Sequence, residues 1–204
     1  MTATLTPTER KAGPLVLHFG TRLKNLSDEE CFQFFKINEH LRLELTSEGD
    51  LIIMPPTGGE TGNINFELNG NFWAWSKQDR RGKGFDSSTV FSLPNGAKRS
   101  PDLAWVLNDR WEALSKEERI KFPPICPDFV AELRSQSDSL DFLKEKMEEY
   151  IANGAQLGWL IDPFERKVYV YRPGAEVEVL EDPEAVSGEP LLRGFTLDVR
   201  ALWG

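Results

Sequence analysis

Apolar positions in this chain recur with two periods, and the switches between them divide it into elements. Ser27-Asp-Glu-Glu30 opens a helix, with Ser27 as N-cap and Glu30 completing a capping box ahead of the amphipathic run CFQFFKINEH. The stretch LRLELTSEGDLIIMPP then alternates with a period of two into a turn at Ser47–Asp50 and back out. This predicts a β-hairpin, closed by Pro55 and Pro56, which cannot donate to a ladder. Ile64, Phe66, Leu68, Phe72 and Trp73 predict a second helix over about 60–75, weakened by Gly62 and Gly70.

STVFSL and DLAWVL follow as strand-like runs, then RWEALSKEERI as a charged helical excursion, then the strand-like DFVAEL at 128–133. The clearest helix spans Ser139 to Asn153. Its Leu140, Leu143, Met147, Tyr150 and Ile151 keep to one face, and Gly154 caps it. LGWLID, a turn at Pro163–Glu165, KVYVYR and VEVL return to strand pattern, and GFTLDVRALW closes the chain as a short strand or turn. Residues 1–24, with Pro7 and Pro14, read as a poorly ordered lead-in, and 25–204 as one domain without internal repeats. Helix, strands, helix, strands predicts an α/β or α+β fold around one mixed sheet.

Composition narrows the chemistry. No apolar run approaches the roughly 20 residues of a membrane helix, and the first residues lack the apolar stretch of a secretory signal. Cys31 and Cys126 cannot build a disulfide framework, which points to a reducing cytoplasm. With only His18 and His40 besides, any metal is expected on oxygen ligands. The net charge of −9 is uneven: residues 173–190 hold six acids and no Lys or Arg. Residues 71–100 carry Lys77, Arg80, Arg81, Lys83, Lys98 and Arg99 against Asp79 and Asp86. That basic stretch is compatible with a phosphate-bearing partner, although a solvated face is the commoner cause of such a pattern.

The chain has no GxxxxGK[ST] loop, no GxGxxG after a strand and no GxSxG elbow, and neither histidine has the neighbours of a triad. Acids at strand ends remain. Asp102 opens DLAWVL and Glu132 lies near the end of DFVAEL. If those strands are antiparallel neighbours, the two carboxylates lie side by side and can share a divalent cation. Magnesium is the best match, since it takes one or two carboxylates and keeps other positions for water and phosphate. Lys146 lies beside Tyr150 just off the apolar arc of its helix, with Lys144 at the other border. From spacing alone, snorkelling over the core is the simpler reading of both.

The series Ser100-Pro-Asp-Leu-Ala-Trp-Val106, Pro127-Asp-Phe-Val-Ala-Glu-Leu-Arg-Ser135, Lys144-Glu-Lys-Met-Glu-Glu-Tyr-Ile-Ala-Asn-Gly154 and Gly158-Trp-Leu-Ile-Asp-Pro163 resembles a large bacterial family of restriction endonucleases in the PD-(D/E)XK nuclease superfamily. Leu43-Glu-Leu-Thr-Ser-Glu-Gly49, Met54-Pro-Pro-Thr-Gly58 and Gly194-Phe-Thr-Leu extend the likeness over roughly residues 25 to 202. The resemblance implies a restriction endonuclease-like αβββαβ core, a mixed sheet flanked by helices. It implies that Asp102 and Glu132 bind metal, and that Glu44 completes the site from the N-terminal side. The superfamily's simplest signature has Lys two residues after the second acid, where this chain has Arg134. Arginine cannot deprotonate water. The resemblance moves the lysine role to Lys146 and leaves Arg134 to contact the scissile phosphate or pair with a nearby acid.

The expectation is therefore an endonuclease that hydrolyses phosphodiester bonds in DNA with magnesium, or manganese in its place. Its catalytic residues would be Glu44, Asp102, Glu132 and Lys146, and its nucleic-acid contacts Lys77, Arg80, Arg81, Lys83 and Arg134. Trp73 and Trp75 flank that basic segment, although tryptophans are more often core. A homodimer would suit cutting of two strands, but nothing in the composition demands one. The acidic balance favours a rival, a non-catalytic binding or assembly module that keeps the fold; a hydrolase of another phosphate ester is a third reading.

Overall fold

The computed structural model describes residues 13–203. Strand β1 (Leu15–His18) and the helical turn α1 (Thr21–Lys24) lead into helix α2 (Asp28–Ile37). The predicted capping box is present: the Glu30 amide donates to Ser27 Oγ and the Ser27 amide to the Glu30 carboxylate. The hairpin β2 (Arg42–Leu45) and β3 (Asp50–Met54) follows, then helix α3 (Gly59–Asp79). Next come β4 (Gly82–Asp86), β5 (Phe91–Ser92), β6 (Lys98–Arg99) and β7 (Leu103–Leu107). Short helices α4 (Asn108–Glu112) and α5 (Lys116–Ile120) precede β8 (Phe129–Leu133) and helix α6 (Leu140–Ala152). The chain continues through β9 (Leu157–Asp162), β10 (Lys167–Tyr171), β11 (Glu178–Glu181), β12 (Ala185–Ser187) and β13 (Thr196–Asp198) to a 3-10 turn at Arg200–Leu202.

A six-stranded sheet in the order β11-β10-β9-β8-β7-β4 carries the fold, antiparallel throughout except between β8 and β9. That parallel pair needs a crossover, and α6 supplies it. In chain order α3, β4, β7, β8, α6 and β9 form the expected αβββαβ core, a restriction endonuclease-like arrangement. Helix α3 covers one face, packing Leu68 and Phe72 on Trp105, Phe129 and Trp159. Helix α6 covers the other, packing Leu143, Met147 and Tyr150 on Ala104, Val130 and Leu160. The fit is close: a Cβ on Gly158 of β9 would lie 2.5 Å from Met147 Cε. Side chains alternate along β8, so Phe129, Ala131 and Leu133 face α3 while Val130 and Glu132 face α6.

The structure corrects several expectations. The mixed sheet is joined by a second, antiparallel sheet in the order β1-β3-β2-β6-β5, which packs with α2 around Cys31, Phe35, Leu43, Leu45 and Leu51. Residues 15–24 of the expected lead-in form β1 and α1, because β1 finds a main-chain partner in β3; residues 1–12 lie outside the described residues. Helix α3 runs four residues beyond Trp75, to Asp79, and STVFSL contributes only Phe91–Ser92. Strand β4 had no apolar alternation to announce it. Its Gly82 is required by tertiary packing, since a Cβ there would lie 2.3 Å from the Trp105 ring. The charged excursion is two short helices, the second opened by a Ser115–Glu118 capping box.

Candidate active site

The antiparallel register of β7 and β8 places Leu103 opposite Ala131, and continued by one residue it sets Asp102 opposite Glu132. The Leu133 amide donates to Asp102 Oδ2 at 2.9 Å and fixes that end of the pair. Directly opposed residues share a face, here the one under α6. Glu44 enters from the second sheet, where β2 meets β6. Lys146, on the second turn of α6, joins the two sheets: its Nζ lies 2.8 Å from Glu44 Oε1 and 2.8 Å from Glu132 Oε1. Glu44, Glu132 and Lys146 are 1%, 4% and 3% exposed, so this ion-pair cluster is internal.

Four further residues complete it. Arg99 donates through Nη1 to Glu44 Oε2 at 3.1 Å and through Nε to Glu149 Oε2 at 2.5 Å. The Ser100 amide donates to Glu44 Oε1 at 2.9 Å, and the Tyr150 hydroxyl to Glu132 Oε1 at 3.1 Å. Sequence reasoning missed Arg99, Glu149 and Tyr150 as site residues. Their signal was positional: Arg99 precedes Ser100-Pro-Asp102, and Glu149 and Tyr150 follow Lys146 at helical spacings of three and four.

The electrostatics are strained. Burial is the largest influence on Glu132 and outweighs the pull of Lys146; with the Asp102 and Glu44 charges added, its carboxyl is pushed up to about 8. Burial also raises Asp102, offset only in part by the Leu133 amide. Burial would raise Glu44 too, but Lys146 and Arg99 together hold it below the usual carboxylate range. Burial alone would strip the Lys146 proton, yet Glu132 and Glu44 hold it there well above the usual lysine value. Lys146 is thus an ammonium in this state, able to donate hydrogen bonds and to stabilise negative charge.

Four carboxyl groups (Glu44, Asp102, Glu132, Glu149) share two cations (Lys146, Arg99), and the excess is relieved in part by a proton on Glu132, which a divalent ion would displace. The donors available are carboxylate oxygens, which suit a hard ion such as magnesium. Among the described residues no three His, Cys, Asp or Glu side chains already converge on one point as a metal cage. The donors therefore fit an ion that takes one or two carboxylates and keeps its waters, and Asp102 and Glu132 would hold it. A cleft of about 1120 Å³ opens above them, with Asp102, Glu132, Glu44 and Lys146 in its lining. Its other walls are mixed, with Phe32, Phe35, Phe122 and Phe164 beside Lys36, Arg42 and Asp138.

The remaining predicted residues lie elsewhere. Arg134 points away from the acids: its Nη1 pairs with the buried Asp162 Oδ2 at 2.6 Å, and it stands over the Phe164 ring. Lys144 lies 4.8 Å from the centre of the Tyr169 ring. Lys77, Arg80 and Lys83 line a separate hollow between α3 and β4. Arg81 turns inward, to Asp79 at 2.7 Å and the Leu191 carbonyl at 3.1 Å. Lys98 and Arg99 are buried in β6, so the basic stretch presents less surface charge than its composition suggested. Trp75 packs on Trp105 and Phe195, whereas Trp73 is 61% exposed. No described helix is long and apolar enough to cross a membrane.

Against known proteins, no curated protein matches this chain. Among solved structures it is similar to a protein of Anabaena variabilis described as a "putative nuclease belonging to DUF820". The two are 26% identical with a TM-score of 0.67, over 79% of this chain and 89% of that one. The family model Uma2, described as "Putative restriction endonuclease", matches residues 28–200, which contain Glu44, Asp102, Glu132 and Lys146. The chain belongs to the Uma2 family.

Proposed function

We propose that this protein is a metal-dependent nuclease that hydrolyses phosphodiester bonds in DNA. The observation that carries the reading is the internal cluster of Lys146 with Glu44 and Glu132 beside Asp102, a costly charge assembly at the floor of an open cleft. An apolar replacement would pack there more cheaply, so the charges are retained for chemistry. A bound magnesium or manganese ion supplies a Lewis acid for the phosphate and a more acidic water. Asp102 and Glu132 would hold that ion, at the shared end of β7 and β8. Lys146, kept protonated by its two glutamates, orients the attacking water and stabilises charge that develops on the phosphorane oxygens. Glu44, tied down by Arg99 and the Ser100 amide, holds the Lys146 ammonium in place.

Incubation with supercoiled plasmid and with single-stranded DNA in magnesium or manganese tests this. Wild type is expected to cut; Asp102→Asn and Glu132→Gln are expected to lose activity to background, and Lys146→Met to lose at least about a hundredfold. No cleavage of either substrate by folded wild type in either metal, or full cleavage by Asp102→Asn, would overturn the reading. Loss in all three variants with melting profiles intact would support it.

A further inference from the structure

Helix α3 walls two hollows. Its first turns, through Asn65, border the cleft above the acids, and its later turns, from Asn69 to Arg80, border the hollow of about 850 Å³ against β4. The two linings adjoin along the chain at two points, Asp86 beside Ser87 and Leu103 beside Asp102. The second point is the metal-binding acid itself. Both hollows therefore border the same end of the sheet, so a chain lying in the smaller one would have a short path to the candidate active site.

The outer half of this path has the makings of a strand-tracking groove. Lys77, Arg80 and Lys83 line it and pair with no acid among the described residues; nearby Asp79 is taken up by Arg81, and Asp86, which also lines it, accepts from the Ser88 amide and hydroxyl. Trp73 lines it too, mostly exposed, with Lys77 Nζ 5.4 Å from its ring centre. Phe66, 73% exposed, lies two turns earlier on the same helix face, about 10 Å along the axis. The groove's β4 wall includes Gly82 and Gly84, against which the Trp105 and Phe72 rings pack. An exposed aromatic face beside unpaired cations matches bases that are unstacked and phosphates that are close by. An intact duplex hides its base faces, and of the acids beyond, Glu44 and Glu132 lie nearly buried at the floor of the cleft.

We infer that the α3–β4 groove binds a single polynucleotide strand, with a base stacked on Trp73 and phosphates on Lys77, Arg80 and Lys83, and feeds it toward Asp102. This rests on the nuclease reading and names its substrate class: unpaired strands, whether free, frayed or displaced from a duplex. Stacking is sequence-tolerant because every base has a π face, so the groove selects strandedness rather than sequence.

Fluorescence anisotropy with labelled oligothymidylate and a duplex of equal length tests this in chelator, where nothing is cut. The single strand is expected to bind at least about tenfold more tightly than the duplex and to quench tryptophan emission. Trp73→Ala should weaken single-strand binding about five- to a hundredfold and reduce the quenching. Lys77→Ala/Arg80→Ala/Lys83→Ala should lower the slope of log affinity against log salt by about 2. These side chains are exposed, and unchanged circular dichroism would verify that the variants fold. Absent single-strand binding, a preference for duplex, or Trp73→Ala binding like wild type would overturn the inference. Plasmid cutting alongside any of those results would leave the nuclease reading standing, whereas tight single-strand binding without cleavage would do the reverse.

Discussion

The two faces of the six-stranded sheet are packed by one helix each, yet they are built to different ends. On the α3 face Phe72, Phe129, Trp105, Trp159 and Phe195 interlock, with Phe72 stacked on Phe129 at 5.6 Å and Phe129 edge-on to Trp159 at 4.9 Å. On the α6 face the same strand β8 presents Glu132, and the helix answers with Lys146 and Tyr150. One strand thus supplies apolar burial on one side and a member of a buried ion-pair cluster on the other. The α3 side contributes the stability that the α6 side needs in order to hold mutually repelling carboxylates beneath a cleft. Rigidity and reactivity are separated by the alternation of a five-residue strand.

The largest expected effect comes from breaking the apolar side. Phe129→Ala should destabilise the protein by about 3–5 kcal/mol, lowering Tm by roughly 6–20 °C in a domain of this size. Thermal unfolding followed by circular dichroism would measure it. Whatever protein remains folded should retain its metal site, because Phe129 does not face it. A loss of metal binding in folded Phe129→Ala would mean that the faces are not separate.

A smaller effect, opposite in sign, is expected on the charged side. Glu132 has a folded-state value near 8, above its ordinary 4.5, so between about pH 5 and 8 the folded state holds more proton than the unfolded chain. Metal-free stability should therefore fall as pH rises through that window, by at most about 1.4 kcal/mol per pH unit from Glu132. Asp102 adds in the same direction. Glu44, shifted downward, loses its contribution only as pH falls below its ordinary value, and Lys146, shifted upward, only at alkaline pH. Both windows lie outside this one. Glu132→Gln should flatten the slope in chelator and melt no lower than wild type at pH 8. An equal slope in that variant would remove Glu132 as its source.

Much of this was legible in the sequence where local chemistry decides the outcome. The Ser27–Glu30 box, the hairpin turn at 47–50 and the periodic face of α6 involve neighbours in the chain, and each formed where its pattern said. Strand β4 was not legible, because Gly82 and Gly84 answer to Trp105 and Phe72, which the chain brings in from elsewhere. The site divides along the same line. Asp102 and Glu132 stand at strand ends, and the series of motifs singled them out. From spacing alone Lys146 looked like a snorkelling surface residue, and only the resemblance gave it the lysine role, since nothing local shows that Glu44, 102 residues away, will meet it. Arg99 was lost in a basic stretch whose composition suggested surface charge. Trp73 and Trp75, two positions apart, were inseparable until the helix sent one inward and left the other exposed.

The central claim is that the α6 face holds a divalent-cation site at Asp102 and Glu132. Calorimetric titration of manganese into wild type and into Asp102→Asn/Glu132→Gln tests it without requiring any knowledge of the substrate. The account predicts saturable binding at millimolar concentration or below in wild type, and no measurable heat of binding in a double variant that melts at or above the wild-type temperature. Silence from wild type, or equal binding by the folded double variant, would contradict it.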